Sequence, residues 1–109
     1  MDTISKEELK EKLDRGDDFK LVMVLGEWHF RAKRIPGSLH IDSPEKGLHE
    51  LSRDDEIVVY CSNEACAGSQ FAYRLLKDAG YEHVRRFSGG LLEWEDAGYP
   101  MEGEMVDNP

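Results

Sequence analysis

The stretch Ile57-Val58-Val59-Tyr60-Cys61-Ser62-Asn63-Glu64-Ala65-Cys66-Ala67-Gly68-Ser69 decides the fold. Its first four residues are apolar and mostly β-branched, the pattern of a strand covered on both faces. The residues Cys61 to Gly68 are small or polar and predict a loop. From Ser69 to Ala79 the apolar Phe71, Ala72, Leu75 and Leu76 recur at helical spacing, and Gly80 caps the end. The stretch therefore predicts strand, cysteine, tight loop and helix in immediate succession.

The same alternation extends outward. Upstream, Ser5-Lys6-Glu7-Glu8 predicts a capping box that opens a helix carrying Leu9 and Leu13 on one face and stopping at Gly16. Phe19 to Leu25 is a second continuous apolar run, again that of a buried strand. Glu27 to Lys33 predicts a short helix, Ile35-Pro36-Gly37-Ser38 a turn, Leu39 to Ile41 a short apolar segment, and Ser43-Pro44 the start of a helix to about Leu51. Downstream, His83 to Phe87 predicts a strand. Ser88-Gly89-Gly90 turns into a helix from Leu91 to Ala97, closed by Gly98. Strands that are apolar on both sides and alternate with helices predict an α/β fold. The expected core is a mostly parallel central sheet of about five strands with helices on both faces.

The 109 residues suit a single domain. We assign it to residues 1–103 and expect residues 104–109 to be a flexible acidic tail. Fourteen Lys and Arg against twenty-three Asp and Glu give a net charge of -9, which disfavours nucleic acid and anionic membranes as partners. A small anionic substrate would need a local positive potential. The longest apolar run, Leu21 to Leu25, is too short to span a bilayer, and the charged first eighteen residues lack the apolar stretch of a signal peptide. The expected compartment is cytoplasmic, where the two cysteines rest as thiols.

In parallel sheets, sites form where the carboxyl ends of strands meet helix amino termini. Cys61 occupies such a junction. Inward-pointing loop amides and the positive end of the following helix would favour thiolate over thiol, making Cys61 the candidate nucleophile. Ala65, Ala67 and Gly68 are small enough for backbone to approach a bound anion, and Ser69 can cap the helix or donate to a sulfur anion. The competing reading is a buried, inert cysteine at a strand end.

Three blocks of the chain resemble the single-domain rhodanese-like sulfurtransferases. The first runs from Leu21-Val22-Met23-Val24 through Phe30 to Arg34-Ile35-Pro36-Gly37-Ser38. The second is Ile57-Val58-Val59-Tyr60-Cys61. The third is Gly80-Tyr81 to Val84, Phe87-Ser88-Gly89-Gly90-Leu91-Leu92-Glu93-Trp94 and Ala97-Gly98-Tyr99-Pro100. The resemblance covers about Thr3 to Gly103 and implies a rhodanese-like fold. It further implies that Cys61 takes the outer sulfur of a donor such as thiosulfate or a polysulfide, becomes a persulfide, and hands the sulfur to a thiol or protein acceptor. The substrate-binding loop is then Ser62, Asn63, Glu64, Ala65, Cys66, Ala67, Gly68 and Ser69. No metal or organic cofactor is implied. A monomer or weak dimer is expected.

The chain departs from the family pattern in instructive places. Seven residues separate Cys61 from Ser69, two more than is common, and they include Glu64 but no Arg or Lys. That weakens the case for dianionic thiosulfate. It also argues against the phosphatases that share this fold, which clamp phosphate with a loop arginine. Met23 and Leu25 stand where the family commonly has Asp and Arg, and Lys33-Arg34 where it has Gly-His. Cys66 lies five residues after Cys61. It could resolve a Cys61 persulfide to a disulfide, act as a redox brake, receive the sulfur, or simply pack the enlarged loop. A zinc site is a poorer reading, with no second cysteine pair and only His83 as an accidental third ligand. A dithiol redox module and a non-catalytic binding domain remain as alternative functions. Trp28 and Trp94 are expected to pack core edges, and the four histidines show no ligand or triad spacing.

Overall fold

The computed structural model describes residues 1–106, and the last three positions of the acidic tail, 107–109, lie outside the described residues. Ser5 caps α1 (Lys6–Arg15) through its hydroxyl, which accepts from the Glu8 amide at 3.1 Å, and Gly16 closes it at φ 72°. The chain continues through β1 (Lys20–Met23), α2 (Glu27–Ala32), β2 (Leu39–His40), α3 (Pro44–Glu50), β3 (Ile57–Tyr60), α4 (Ala67–Asp78), β4 (Val84–Arg86) and α5 (Gly90–Asp96). All strand pairings are parallel, in the order β2-β1-β3-β4. Val22 pairs with Val59, and Val59 with Arg86.

The sheet has four strands rather than about five. The fifth position, beside β4, is filled by Asp2–Ile4, which makes a single parallel bridge at Thr3 and Arg86. The Arg86 amide donates to the Asp2 carbonyl at 2.9 Å, and the Ile4 amide to the Arg86 carbonyl at 3.1 Å. The helix cap at Ser5 turns the chain away before a second ladder step forms.

Strand alternation divides the core. Leu21, Met23, Val58 and Tyr60 pack with Leu9 of α1 and Trp94 of α5, and Phe30 of α2 joins them. Val22, Ile57, Val59 and Val84 pack on the other side with Tyr73 and Leu76 of α4 and with Ile41 and Leu51 flanking α3. The core includes Met23, fully buried, and the half-buried Leu25 packs against it. Apolar contact thus replaces the polar pair expected of the family at these positions. Trp94 is 1% exposed and donates to the Pro100 carbonyl at 2.8 Å, but Trp28 is 68% exposed and packs no core edge. Residues Glu104 and Met105 donate backbone hydrogen bonds to Arg31 and Ala32 at the end of α2 (2.8 and 3.0 Å). No helix among the described residues is long and apolar enough to cross a membrane.

Candidate active site

β3 is buried at all four residues and ends directly at Cys61, itself 1% exposed. The main chain then turns sharply. The Asn63 side chain accepts from the Ala65 amide at 2.9 Å, and the Asn63 carbonyl accepts from the Cys66 amide at 3.1 Å. This compact turn delivers the chain to α4, which begins at Ala67, two residues earlier than the apolar spacing predicts. Ser69 therefore lies within the first turn of α4 instead of capping it. It is 1% exposed, and its Oγ stands 3.3 Å from Cys61 Sγ. The Cys66 carbonyl lies 3.7 Å from the same sulfur.

A second helix start braces the loop from the other side. The Leu91 and Leu92 amides of α5 donate to the Cys61 and Ser62 carbonyls, both at 2.9 Å. This docking needs Gly90, where φ is +64°. A Cβ there would stand 2.6 Å from the Cys61 carbonyl oxygen and 2.9 Å from the Asn63 nitrogen. The second glycine of the predicted Ser88-Gly89-Gly90 turn thus lets backbone meet backbone at the site.

Cys61 and Cys66 are joined as a disulfide, with Cα atoms 6.4 Å apart. Sequence spacing alone left Cys66 open between packing and chemistry; the fold places its sulfur on that of Cys61. Cys66 is half-buried whereas Cys61 is covered. His83, the other ligand considered for zinc, precedes β4 and lies at the opposite end of that strand from Cys61, so the fold does not bring it to the two cysteines. Among the described residues no group of three or more His, Cys, Asp and Glu is arranged to hold a metal ion.

One residue of the site was not assigned from the sequence. Arg86, on β4, is only 6% exposed. Its Nε donates to Ser69 Oγ at 2.8 Å, and its Nη2 to the Glu64 carbonyl at 3.0 Å. Because Ser69 Oγ accepts from Arg86, its own proton is free to point at Cys61 Sγ. No carboxylate among the described residues lies within 4.0 Å of Arg86. The loop that lacks Arg and Lys is therefore underlain by an unneutralised cation. The strand period could have suggested it: Arg85 and Arg86 must face opposite sides of the sheet, and one side is that of α4.

Of the other loop residues, Asn63, Glu64, Ala65 and Ala67 are exposed, and Ser62 and Gly68 are half-buried. Beside the loop opens a hollow of about 600 Å³ bordered by Asn63, Glu64, Ala65, Glu93, Asp96 and Lys6. Three carboxylates thus face one lysine, which itself lies 3.7 Å from Glu93. On the α4 side of the sheet, an apolar cleft of about 240 Å³ runs between α3 and α4, with Gly68 at its edge.

Comparison with known proteins agrees with this architecture. A family model described as the rhodanese-like domain matches residues 5–97. The HTH-type transcriptional regulator Rv0324 of Mycobacterium tuberculosis is 37% identical over 103 residues, covering 93% of this chain and 45% of the regulator. A Bacillus subtilis relative, 30% identical over 93 residues, is likewise spanned over only 49% of its length, so the chain is about half as long as these two curated relatives. A sulfurtransferase of Allochromatium vinosum is 28% identical over 101 residues, covering 90% of this chain and 92% of that protein. The rhodanese-like domain of the Anabaena protein Alr3790 superposes with a TM-score of 0.85 at 27% identity, covering 100% of this chain and 89% of that one. The chain belongs to the rhodanese-like domain family.

Proposed function

We propose that this chain moves sulfane sulfur from a small donor to a thiophilic acceptor through a persulfide on Cys61. The observation that carries the reading is the seat of Cys61 Sγ. It lies at the carboxyl end of β3, out of solvent, 3.3 Å from a serine hydroxyl whose oxygen is held by a buried guanidinium. Sulfur transfer also accords with membership of the family and with the sulfurtransferase relative.

Reduction of the Cys61–Cys66 disulfide comes first. The Cys61 thiolate then attacks the outer sulfur of the donor. A sulfur–sulfur bond forms on Cys61, the donor's own sulfur–sulfur bond breaks, and the donor leaves with the electron pair, as sulfite from thiosulfate or as a shortened chain from a polysulfide. Attack by an acceptor thiolate on the outer sulfur reverses the process and frees Cys61. Ser69 O–H, Arg86 behind it and the amino terminus of α4 stabilise the sulfur anion at both stages. No metal or organic cofactor enters these steps. The acidic hollow beside the loop disfavours a dianion such as thiosulfate. A reducing cytoplasmic compartment suits a mechanism that starts from free thiols.

The test is intact mass. Reduced protein is incubated with thiosulfate or with polysulfide in a Cys66→Ser background, which leaves Cys61 as its single thiol, with and without Cys61→Ser. Gain of one sulfur atom that requires Cys61 is the expected result. Equal gain in Cys61→Ser, or none from either donor with the fold intact, overturns the proposal.

A further inference from the structure

We propose that Cys66 is a second catalytic residue, which attacks the Cys61 persulfide and releases its outer sulfur as sulfide, giving the chain a sulfane-sulfur reducing activity. This rests on the persulfide reading above. Three features carry it. The fold closes the two cysteines into a disulfide, so the sulfur of Cys66 reaches the sulfur of Cys61 without rearrangement of the sheet or helices. The two differ in access: Cys61 is 1% exposed and Cys66 is half-buried. And the two sit in different surroundings: Ser69, held by Arg86, stands beside Cys61, while Cys66 is the N-cap residue of α4 and makes no side-chain capping hydrogen bond there.

The chemistry balances as follows. Cys61 carrying an outer sulfur is a persulfide. The Cys66 thiolate attacks the inner sulfur, Cys61 Sγ, to which the structure joins it. The Cys61–Cys66 bond forms, the bond to the outer sulfur breaks, and that sulfur leaves as hydrosulfide with the electron pair. The two cysteines are oxidised by two electrons and the sulfane sulfur is reduced by two. An external dithiol then restores the pair. It attacks the more accessible Cys66 sulfur and expels Cys61 as the thiolate, beside the Ser69 hydroxyl. The second thiol is intramolecular, so its attack on the covered Cys61 Sγ competes with attack by external acceptors on the outer sulfur.

Whether the outer sulfur stays, leaves or moves decides the matter in a single turnover without added reductant. Fully reduced, desalted wild type, Cys66→Ser and Cys66→Ala are each given one equivalent of thiosulfate, and separately of a polysulfide. Intact mass is followed, and sulfide is trapped with a bimane reagent against a protein-free control. The expected wild-type product has lost two hydrogens, gained no sulfur and released one equivalent of sulfide. Both Cys66 variants should instead keep one extra sulfur on Cys61 and release at least tenfold less sulfide. Wild type that holds the extra sulfur as durably as the variants overturns the inference and leaves sulfur transfer standing. An extra sulfur mapped to Cys66 in the wild type also overturns it, making Cys66 a receiver. Absence of sulfur from Cys61 in all three proteins, with unchanged circular dichroism, overturns the persulfide reading itself and this inference with it.

Discussion

Two adjacent arginines on β4 meet opposite fates on the two faces of the sheet. Arg85 turns to the α1 face. It pairs with Glu8 in a partly exposed contact, with Nη2 at 3.0 Å from Oε1, and also donates to the Thr3 carbonyl. That guanidinium holds the Glu8 carboxyl below its usual range, although burial works slightly the other way. Arg86 turns to the α4 face, is nearly covered, and donates only to neutral oxygens. The difference teaches where a charge acts. A cation beside a carboxylate is largely cancelled at a distance. One held by a hydroxyl and a carbonyl keeps its potential, and in a covered place that potential is weakly screened. The α1 face uses its arginine as a surface clasp, and the α4 face holds its arginine behind the serine that meets Cys61 Sγ.

Replacing each arginine tests this contrast, and Arg86→Met is expected to have the larger effect. It leaves Ser69 Oγ and the Glu64 carbonyl without their donor in a covered site, at a cost of about 2–4 kcal/mol in denaturant unfolding. In a Cys66→Ser background it should also slow sulfur loading on the order of tenfold, equivalent to about 1.4 kcal/mol, and raise the pH at which Cys61 becomes alkylated. Arg86→Lys keeps the charge but not the two-pronged geometry, so it should recover loading only in part. Loading by Arg86→Met at the wild-type rate would break the comparison.

Next in size is Tyr60→Phe, which probes the α1 face beside the site. Tyr60 accepts from the Ile35 amide at 3.1 Å and shares a 2.6 Å hydrogen bond with Ser38. Loss of this buried hydroxyl should cost about 1–2 kcal/mol and leave sulfur loading unchanged. Burial pushes the Tyr60 phenol up to about 12 from an ordinary 10.0. The unfolded chain therefore loses this proton first as pH rises. Below the ordinary value the phenol is protonated in both states and its contribution is complete. Between about 10 and 12 the folded state alone keeps the proton, and stability falls across that window. Thermal or denaturant unfolding measured across it should show a shallower fall in Tyr60→Phe. An unchanged slope would assign the alkaline loss to other groups.

Smallest is Arg85→Met. The pair with Glu8 is partly exposed, so its loss should cost no more than about 1 kcal/mol and leave sulfur loading untouched. A cost equal to that of Arg86→Met, measured by the same unfolding assay, would erase the distinction between the faces.

Much of the architecture was legible because it depends on local pattern. The two apolar runs became β1 and β3, Ser5 and Gly16 bounded α1 as their chemistry predicts, and the glycine pair opened α5, whose first residue is Gly90 rather than Leu91. The misplaced features depend on partners distant in sequence. Trp28 is apolar enough for a core edge, but α2 turns it outward. About five strands were expected and four formed, with Thr3 making an isolated bridge to Arg86 beside them. The place of Cys61 at the end of a buried strand was evident from the apolar run that precedes it. Arg86 was not, since its seventeen-residue separation from Ser69 carries no local signal.

The order of residues by itself determined an α/β chain with its cysteine at the end of a buried strand, because hydrophobic period, caps and turn residues act over a few neighbours. Only the tertiary structure decided that Cys66 meets Cys61 and that Arg86, not Arg85, underlies the loop. Those choices rest on the path of a turn and on which face of a twisted sheet each side chain takes once the strands are paired. They are properties of the assembled backbone and not of any one segment.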